Sequence, residues 1–183
     1  MSLPEGERPG SELNGKLLLV TGGCGFIGAP LVARLLALGA RVRVLDDLSS
    51  GKAQSLPGGA ELIVGSVTER ATVARAIDGV QGCLHLAGIA SITHCQERWA
   101  SAHTVNATGL VQVFEALRDR GPAPVVYASS SAVYGDEPGP LSEDRAPRPA
   151  SAYGADKVAC ELHAAVAIGP RGRSCQVTAD HNP

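Results

Sequence analysis

KLLLVTGGCGFIG, residues 16–28, runs an apolar stretch straight into a glycine-rich turn. Lys16–Thr21 is a continuous apolar run rather than an alternating one, the pattern of a parallel strand buried on both faces. Gly23, Gly25 and Gly28 satisfy GxGxxG, and Gly22, Gly25 and Gly28 satisfy GxxGxxG. Both spacings serve one need. Glycine permits the tight turn and lets backbone N–H groups approach a pyrophosphate at the start of the next helix. Leu31, Leu35 and Leu38 predict that helix, with Gly39 as its C-cap.

Outward from this unit, apolar runs alternate with helical patterns. Further strands are predicted at Arg41–Leu45, Glu61–Val64, Cys83–Leu86 and Val125–Ala128. A long helical stretch before the last strand carries Leu110, Val113, Phe114 and Leu117 on one face. A final helix spans about Ser151 to Ala167, with Val158, Leu162 and Val166 aligned. Such alternation implies an α/β fold with a doubly wound parallel sheet, the Rossmann arrangement. Met1–Asn14, rich in Pro, Gly and charge, is expected to be a flexible tail, leaving residues 15–183 as one nucleotide-binding domain.

Asp46 ends the second strand, about 20 residues beyond the glycines, where a carboxylate accepts hydrogen bonds from an adenosine ribose. An acid there also repels a 2′-phosphate, which favours NAD over NADP. The bland alternative is that Asp46 and Asp47 only open the solvated turn Leu48-Ser49-Ser50-Gly51.

Composition removes other classes. A net charge of −2 gives no reason to expect nucleic acid or an anionic membrane, and 3% aromatics argues against a base-stacking surface. The apolar runs are far shorter than a membrane span. Five cysteines with no CxxC pair argue against a disulfide framework and against zinc, and no structural metal is expected. A cytoplasmic protein is the plain reading.

Tyr153 and Lys157 form a YxxxK pair, which a helix places on one face a turn apart. A phenol titrates near ~10, so it needs help to act as a base, and an adjacent ammonium stabilises the phenolate. Ser129, Ser130 and Ser131 end the fifth strand, where ligands of open α/β sheets bind. Ser129 and Ser131 read best as turn serines satisfying backbone groups.

Together TGGCGFIG, VLDDLSSG, HLAG (His85–Gly88), VNATG (Val105–Gly109), ASSSAVYGD and SAYGADK resemble the extended short-chain dehydrogenase/reductases, in the family's order. The resemblance implies a catalytic Ser130, Tyr153 and Lys157. It also implies dinucleotide contacts from Gly22, Gly25, Phe26, Ile27 and Gly28, and from Asp46 with Asp47, Leu48, Ser49, Ser50 and Gly51. Ser66 and Val67, then Leu86, Ala87, Gly88 and Asn106, complete that set, with Tyr153 and Lys157 shared. Where dehydratases of the family carry Thr-Asp-Glu, this chain has Ser130, Ser131 and Ala132, which lack the added acid and base of an elimination. The pattern is similar to nucleotide-sugar 4-epimerases of the UDP-glucose type, whose NAD takes a hydride from sugar C4 and returns it.

Three departures accompany the resemblance. Ser66 stands where the family often has Asp. Gly169–Pro183 matches poorly where a sixth strand belongs. The family's chain continues well past this length, so a truncated chain lacking the substrate-binding C-terminal part is expected. Three classes stay open: a UDP-hexose epimerase or its N-terminal fragment, an NAD(P)-dependent keto-reductase of the same family, and a non-catalytic dinucleotide-binding module. A homodimer through the helices around Leu110–Leu117 and Val158–Val166 is a further expectation.

Overall fold

The computed structural model describes residues 10–120 and 123–168. Residues 1–9 of the expected tail and the whole of Gly169–Pro183 lie outside them. The chain divides into two compact units, Met1–Leu86 and Ala87–Pro183.

In the first unit, β1 (Leu17–Thr21) is buried along its whole length. A strand so enclosed needs apolar side chains on both faces, and LLLV supplies them; each leucine fully withdrawn from water contributes roughly 1.5–3 kcal/mol. β1 pairs in parallel with β2 (Arg41–Asp46) on one side and β4 (Gly82–His85) on the other. β3 (Glu61–Val64) pairs with β2, so four strands run β3-β2-β1-β4. The chain thus steps outward from β1 to β3 and then returns to the far side of β1. A crevice opens at such a reversal, outside the carboxyl ends of the strands. Thr21 Oγ1 lies 2.9 Å from His85 Nδ1, tying the ends of β1 and β4.

Parallel pairing requires crossovers, and helices provide them. α1 (Gly28–Ala37) buries Val32 and Leu35 against Leu18, Val20, Val42 and Val44. Its end follows from Gly39, whose φ of +82° is open to glycine. Gly39 N–H donates to Leu36 O at 2.9 Å and Ala40 N–H to Leu35 O at 3.1 Å, the paired bonds of a Schellman ending. α2 (Arg70–Ile77) makes the crossover between β3 and β4, burying Val73, Ala76 and Ile77. Gly10–Asn14, assigned above to the tail, includes a short 3₁₀ turn at Ser11–Leu13, and Leu13 packs against the β1–β2 core.

In the second unit the expected long helix is three helices and a π-helical segment. α3 (Ile92–Glu97) and α4 (Trp99–His103) lead into π-helical Thr104–Thr108, and α5 follows (Gly109–Arg120). Asn106 lies in this π segment. Its side chain is buried and clamps the backbone of Ile89, accepting from the N–H at 2.7 Å and donating to the carbonyl at 3.1 Å. The unit ends with β5 (Val125–Tyr127) and α6 (Ala152–Ile168). Leu110, Tyr127, Cys160 and Ala164 form its core with Phe114 packed alongside.

The strand boundaries match the sequence reading to within one residue. β4 is shifted: it begins at Gly82 and stops at His85, so Leu86 stands beyond the strand. No helix among the described residues is long and apolar enough to cross a membrane.

Gly39→Ala should destabilise the first unit by about 1–2 kcal/mol, the cost of a left-handed non-glycine residue. The added Cβ would also fall 2.3 Å from Asn14 Oδ1. Urea unfolding followed by circular dichroism measures it; an unchanged midpoint would mean the ending is not held by this glycine.

Candidate functional site

The glycine loop of the first unit leaves β1 at Gly22, whose φ is +70°. Gly28, the first residue of α1, sits so close that a Cβ there would lie 2.2 Å from Gly22 O and 2.6 Å from Gly23 Cα. Helix and strand approach backbone to backbone, and no side chain fits between them. α1 has no side-chain cap and no acidic residue in its first turn. Its N-terminal N–H groups are therefore not neutralised by its own sequence, the condition for holding phosphate. Phe26 and Ile27 stand out into solvent at the head of this helix.

Asp46 fixes the loop from β2. Its Oδ2 accepts from Cys24 N–H and its Oδ1 from Leu48 N–H, each at 2.9 Å, and the residue is 8% exposed. The carboxylate thus splices the glycine loop to the turn after β2. That turn is shaped by Leu48 at φ +59° and by Asp47, whose Oδ1 accepts from Ser49 N–H. Gly51 packs so near Cys24 that a Cβ would fall 2.7 Å from the Cys24 carbonyl carbon. Between loop and turn lies a cleft of about 380 Å³, bordered by Gly25, Phe26, Ser50, Gly51 and Lys52. A cleft bordered by glycines at a helix N-terminus fits an adenosine diphosphate group. Ser66 Oγ accepts from Thr68 N–H at 3.2 Å, and Val67 is buried. Both residues lie just beyond β3.

The second unit holds the remaining predicted residues. Ala87 and Gly88 belong to the segment that Asn106 clamps at Ile89. Asn106 spends its amide on that backbone, and a Cβ on Gly88 would lie 3.1 Å from Asn106 Oδ1. The clamp shapes the segment that the sequence assigned to cofactor contact.

Tyr153 and Lys157 lie on α6, and Ser130 caps the 3₁₀ turn Ser131–Tyr134 by accepting from Ala132 N–H at 3.2 Å. Ser130 lies within hydrogen-bonding reach of the Tyr153 hydroxyl and favours its ionised form. Lys157 Nζ donates to Ala128 O at 2.7 Å and sits 5.7 Å from the centre of the Tyr153 ring. The three residues therefore meet, but the electrostatics differ from the expectation. Burial raises the Tyr153 phenol above its ordinary value and the Ser130 hydrogen bond only partly opposes it. Lys157 is itself pushed down by burial. Its ammonium is committed to a carbonyl rather than aimed at the phenolate oxygen, so in the chain alone the tyrosine is a neutral acid.

Two ties escaped the sequence reading. Ser129, expected to satisfy a backbone group, is buried and donates instead to the Glu161 carboxylate. Asp156, between Tyr153 and Lys157 in the motif, is buried with its Oδ1 2.6 Å from His103 Nδ1. A carboxylate inside an otherwise apolar helical face signals such a partner but does not say which residue supplies it.

Comparisons with known proteins show the family and the fold. Residues 18–170 match the model of the NAD dependent epimerase/dehydratase family. UDP-glucose 4-epimerase of Mycolicibacterium smegmatis is 40% identical over 153 residues, covering 79% of this chain and 49% of that protein. Among solved structures, Thermus thermophilus UDP-glucose 4-epimerase in complex with NAD superposes with a TM-score of 0.83 at 33% identity, covering 89% of this chain and 53% of that one. The Thermotoga maritima enzyme with UDP-glucose gives 0.82 at 28% identity, over 89% and 54%. The chain spans about half the length of these relatives.

Cys24 gives the loop a pH signature. Burial first, and the neighbouring Asp46 second, raise its thiol from 9.0 to about 11. Unfolded, the thiol ionises from about pH 9; folded, it keeps its proton to about 11. The native state thus binds more protons in this window, and stability falls as pH rises through it. Cys160, also raised to about 11, adds to the fall. Cys24→Ala should lose less stability than the parent between pH 9 and 11 in denaturant titrations. Parallel curves would remove Cys24 from the effect.

Proposed function

The chain belongs to the NAD dependent epimerase/dehydratase family, and we propose that it carries the cofactor and acid–base machinery of a UDP-hexose 4-epimerase, an isomerase. The observation that carries this reading is the meeting of Ser130, Tyr153 and Lys157 on one stripe of α6 and the turn it touches. The cleft of the first unit holds the adenosine diphosphate half of NAD. When bound, NAD supplies the hydride acceptor and donor for sugar C4. With NAD bound, whose positive charge would favour loss of the phenol proton, Tyr153 Oη as phenolate takes the proton of the reacting 4-hydroxyl, and Ser130 Oγ hydrogen-bonds the sugar oxygen to orient it. On the return, Tyr153 gives the proton back. Lys157 holds the Ala128 carbonyl and keeps a cation one helical turn from the phenol.

The residues at Ser130, Ser131 and Ala132 support epimerisation over dehydration, since none is an acid or base suited to elimination. The names of the relatives support a UDP-sugar substrate. A cytoplasmic setting fits the free cysteines Cys24, Cys83, Cys95 and Cys160. Pairing of two copies rests on α6, where Leu162 and Val166 are 65% and 78% exposed. On α5, Leu110, Val113 and Leu117 are buried within their own unit and are not free for it.

Tyr153→Phe keeps the ring and removes the proton acceptor. In the enzyme that carries this chain, turnover of UDP-glucose to UDP-galactose should fall at least ~100-fold, with NAD affinity measured by calorimetry nearly unchanged. Near-parent turnover would take Tyr153 out of the chemistry. Stoichiometric NADH accumulation during turnover would replace the epimerase by a keto-reductase. The 183-residue chain by itself should bind NAD without epimerising UDP-hexoses, because a sugar not held within reach of the hydride loses orders of magnitude in rate. Catalytic conversion of any UDP-hexose by the isolated chain would refute that.

A further inference from the structure

Glu161 takes no part in the chemistry above, yet the structure ties it to the centre of that chemistry. Tyr153, Lys157 and Glu161 follow one another at intervals of four along α6 and so form a single stripe. Lys157 Nζ donates to Ala128 O at 2.7 Å, the Glu161 carboxylate accepts from Ser129 Oγ, and the Tyr153 hydroxyl lies within reach of Ser130. Three successive side chains of one helix therefore grip three consecutive residues, Ala128, Ser129 and Ser130, as the chain leaves β5. β5 is only three residues long and stops at Tyr127. Beyond it, side-chain ties act together with the backbone bond from Val133 N–H to Ser130 O in setting where the chain goes.

The kind of tie matters. A buried serine can satisfy itself on a nearby backbone carbonyl at no cost to the fold. Ser129 instead reaches a carboxylate 32 residues away, and a hydroxyl-to-carboxylate bond is charge-assisted and stronger than a neutral one. Lys157 holds the Ala128 carbonyl but leaves the peptide after Ser129 free to turn. The Ser129–Glu161 bond removes that freedom one residue before the hydroxyl that meets Tyr153. We propose that Glu161, acting through Ser129, is a positioning residue that fixes the Ser130 hydroxyl on Tyr153. This deepens the reading given above and rests on Ser130 and Tyr153 being its reacting pair.

The test reads Tyr153 itself and needs no substrate. The chain is produced with fluorinated tyrosine, whose phenol titrates at lower pH than tyrosine, and the Tyr153 signal is identified by its loss in Tyr153→Phe. Fluorine NMR then follows its titration midpoint. A correctly placed Ser130 hydroxyl stabilises the phenolate, so Ser129→Ala should raise the midpoint by about one pH unit. Glu161→Ala should raise it similarly, and the double variant no further than either. Glu161→Gln, whose amide oxygen still accepts from Ser129, should stay near the parent. In a Ser130→Ala background the effect of Ser129→Ala should vanish.

An unmoved midpoint in Ser129→Ala overturns the proposal, even if the variant melts earlier, since that is what a merely structural bond would give. So does a rise that persists without Ser130. Should Glu161→Ala not fold, Ser129→Ala, smaller by one oxygen, decides. Failure of the epimerase assay would change the reaction assigned to the pair and leave this titration standing.

Discussion

Asp46 is a buried carboxylate whose two oxygens are both engaged by main-chain N–H groups, one from the glycine loop and one from the turn after β2. Burying a charge is costly unless donors replace the lost water, and here the donors belong to the two segments that border the cleft. The loop cannot drift from the turn without leaving that charge unpaired. From this constraint follow the cleft between them, the close approach of Gly51 to Cys24, and the exposure of Phe26 and Ile27 at the head of α1. Burial raises the Cys24 thiol, and the carboxylate pinned beside it adds to the rise.

In the second unit a helix stripe plays the corresponding part. α6 presents a phenol, an ammonium and a carboxylate in register, and β5 ends where they begin to bind. The polar contacts fall where regular hydrogen bonding stops. Asn106 follows the same logic one segment earlier: it occupies a π-helical turn and holds the backbone just after Gly88. Irregular backbone is kept in place by side chains of neighbouring helices, and Gly88 and Ser130 belong to it.

Much of this was legible before any coordinates. The β1 run, the glycine spacing, Asp46 and the YxxxK pair each carry a local physical meaning, and each appears in the place predicted. What stayed hidden is of another kind. The stretch before β5 reads as one helix because Leu110, Val113 and Leu117 keep helical spacing, and spacing alone does not report the π segment in which Asn106 lies. α2 escapes the apolar-run reading, because Val73 and Ile77 are the only large apolar side chains in its eight residues. Ser129 looks like its serine neighbours until Glu161, 32 residues on, is brought beside it. The supposed help from Lys157 to Tyr153 rested on their spacing, whereas the direction of the ammonium depends on the Ala128 carbonyl. Sequence distance conceals which polar groups meet, and desolvation appears only once the packing is known.

The raised Tyr153 phenol gives the second unit a resting state. A tyrosine that keeps its proton through the physiological range is a poor base toward stray alcohols, and hydroxyl-bearing molecules that wander in are left untouched. Reactivity becomes conditional on what arrives with a positive charge near the ring.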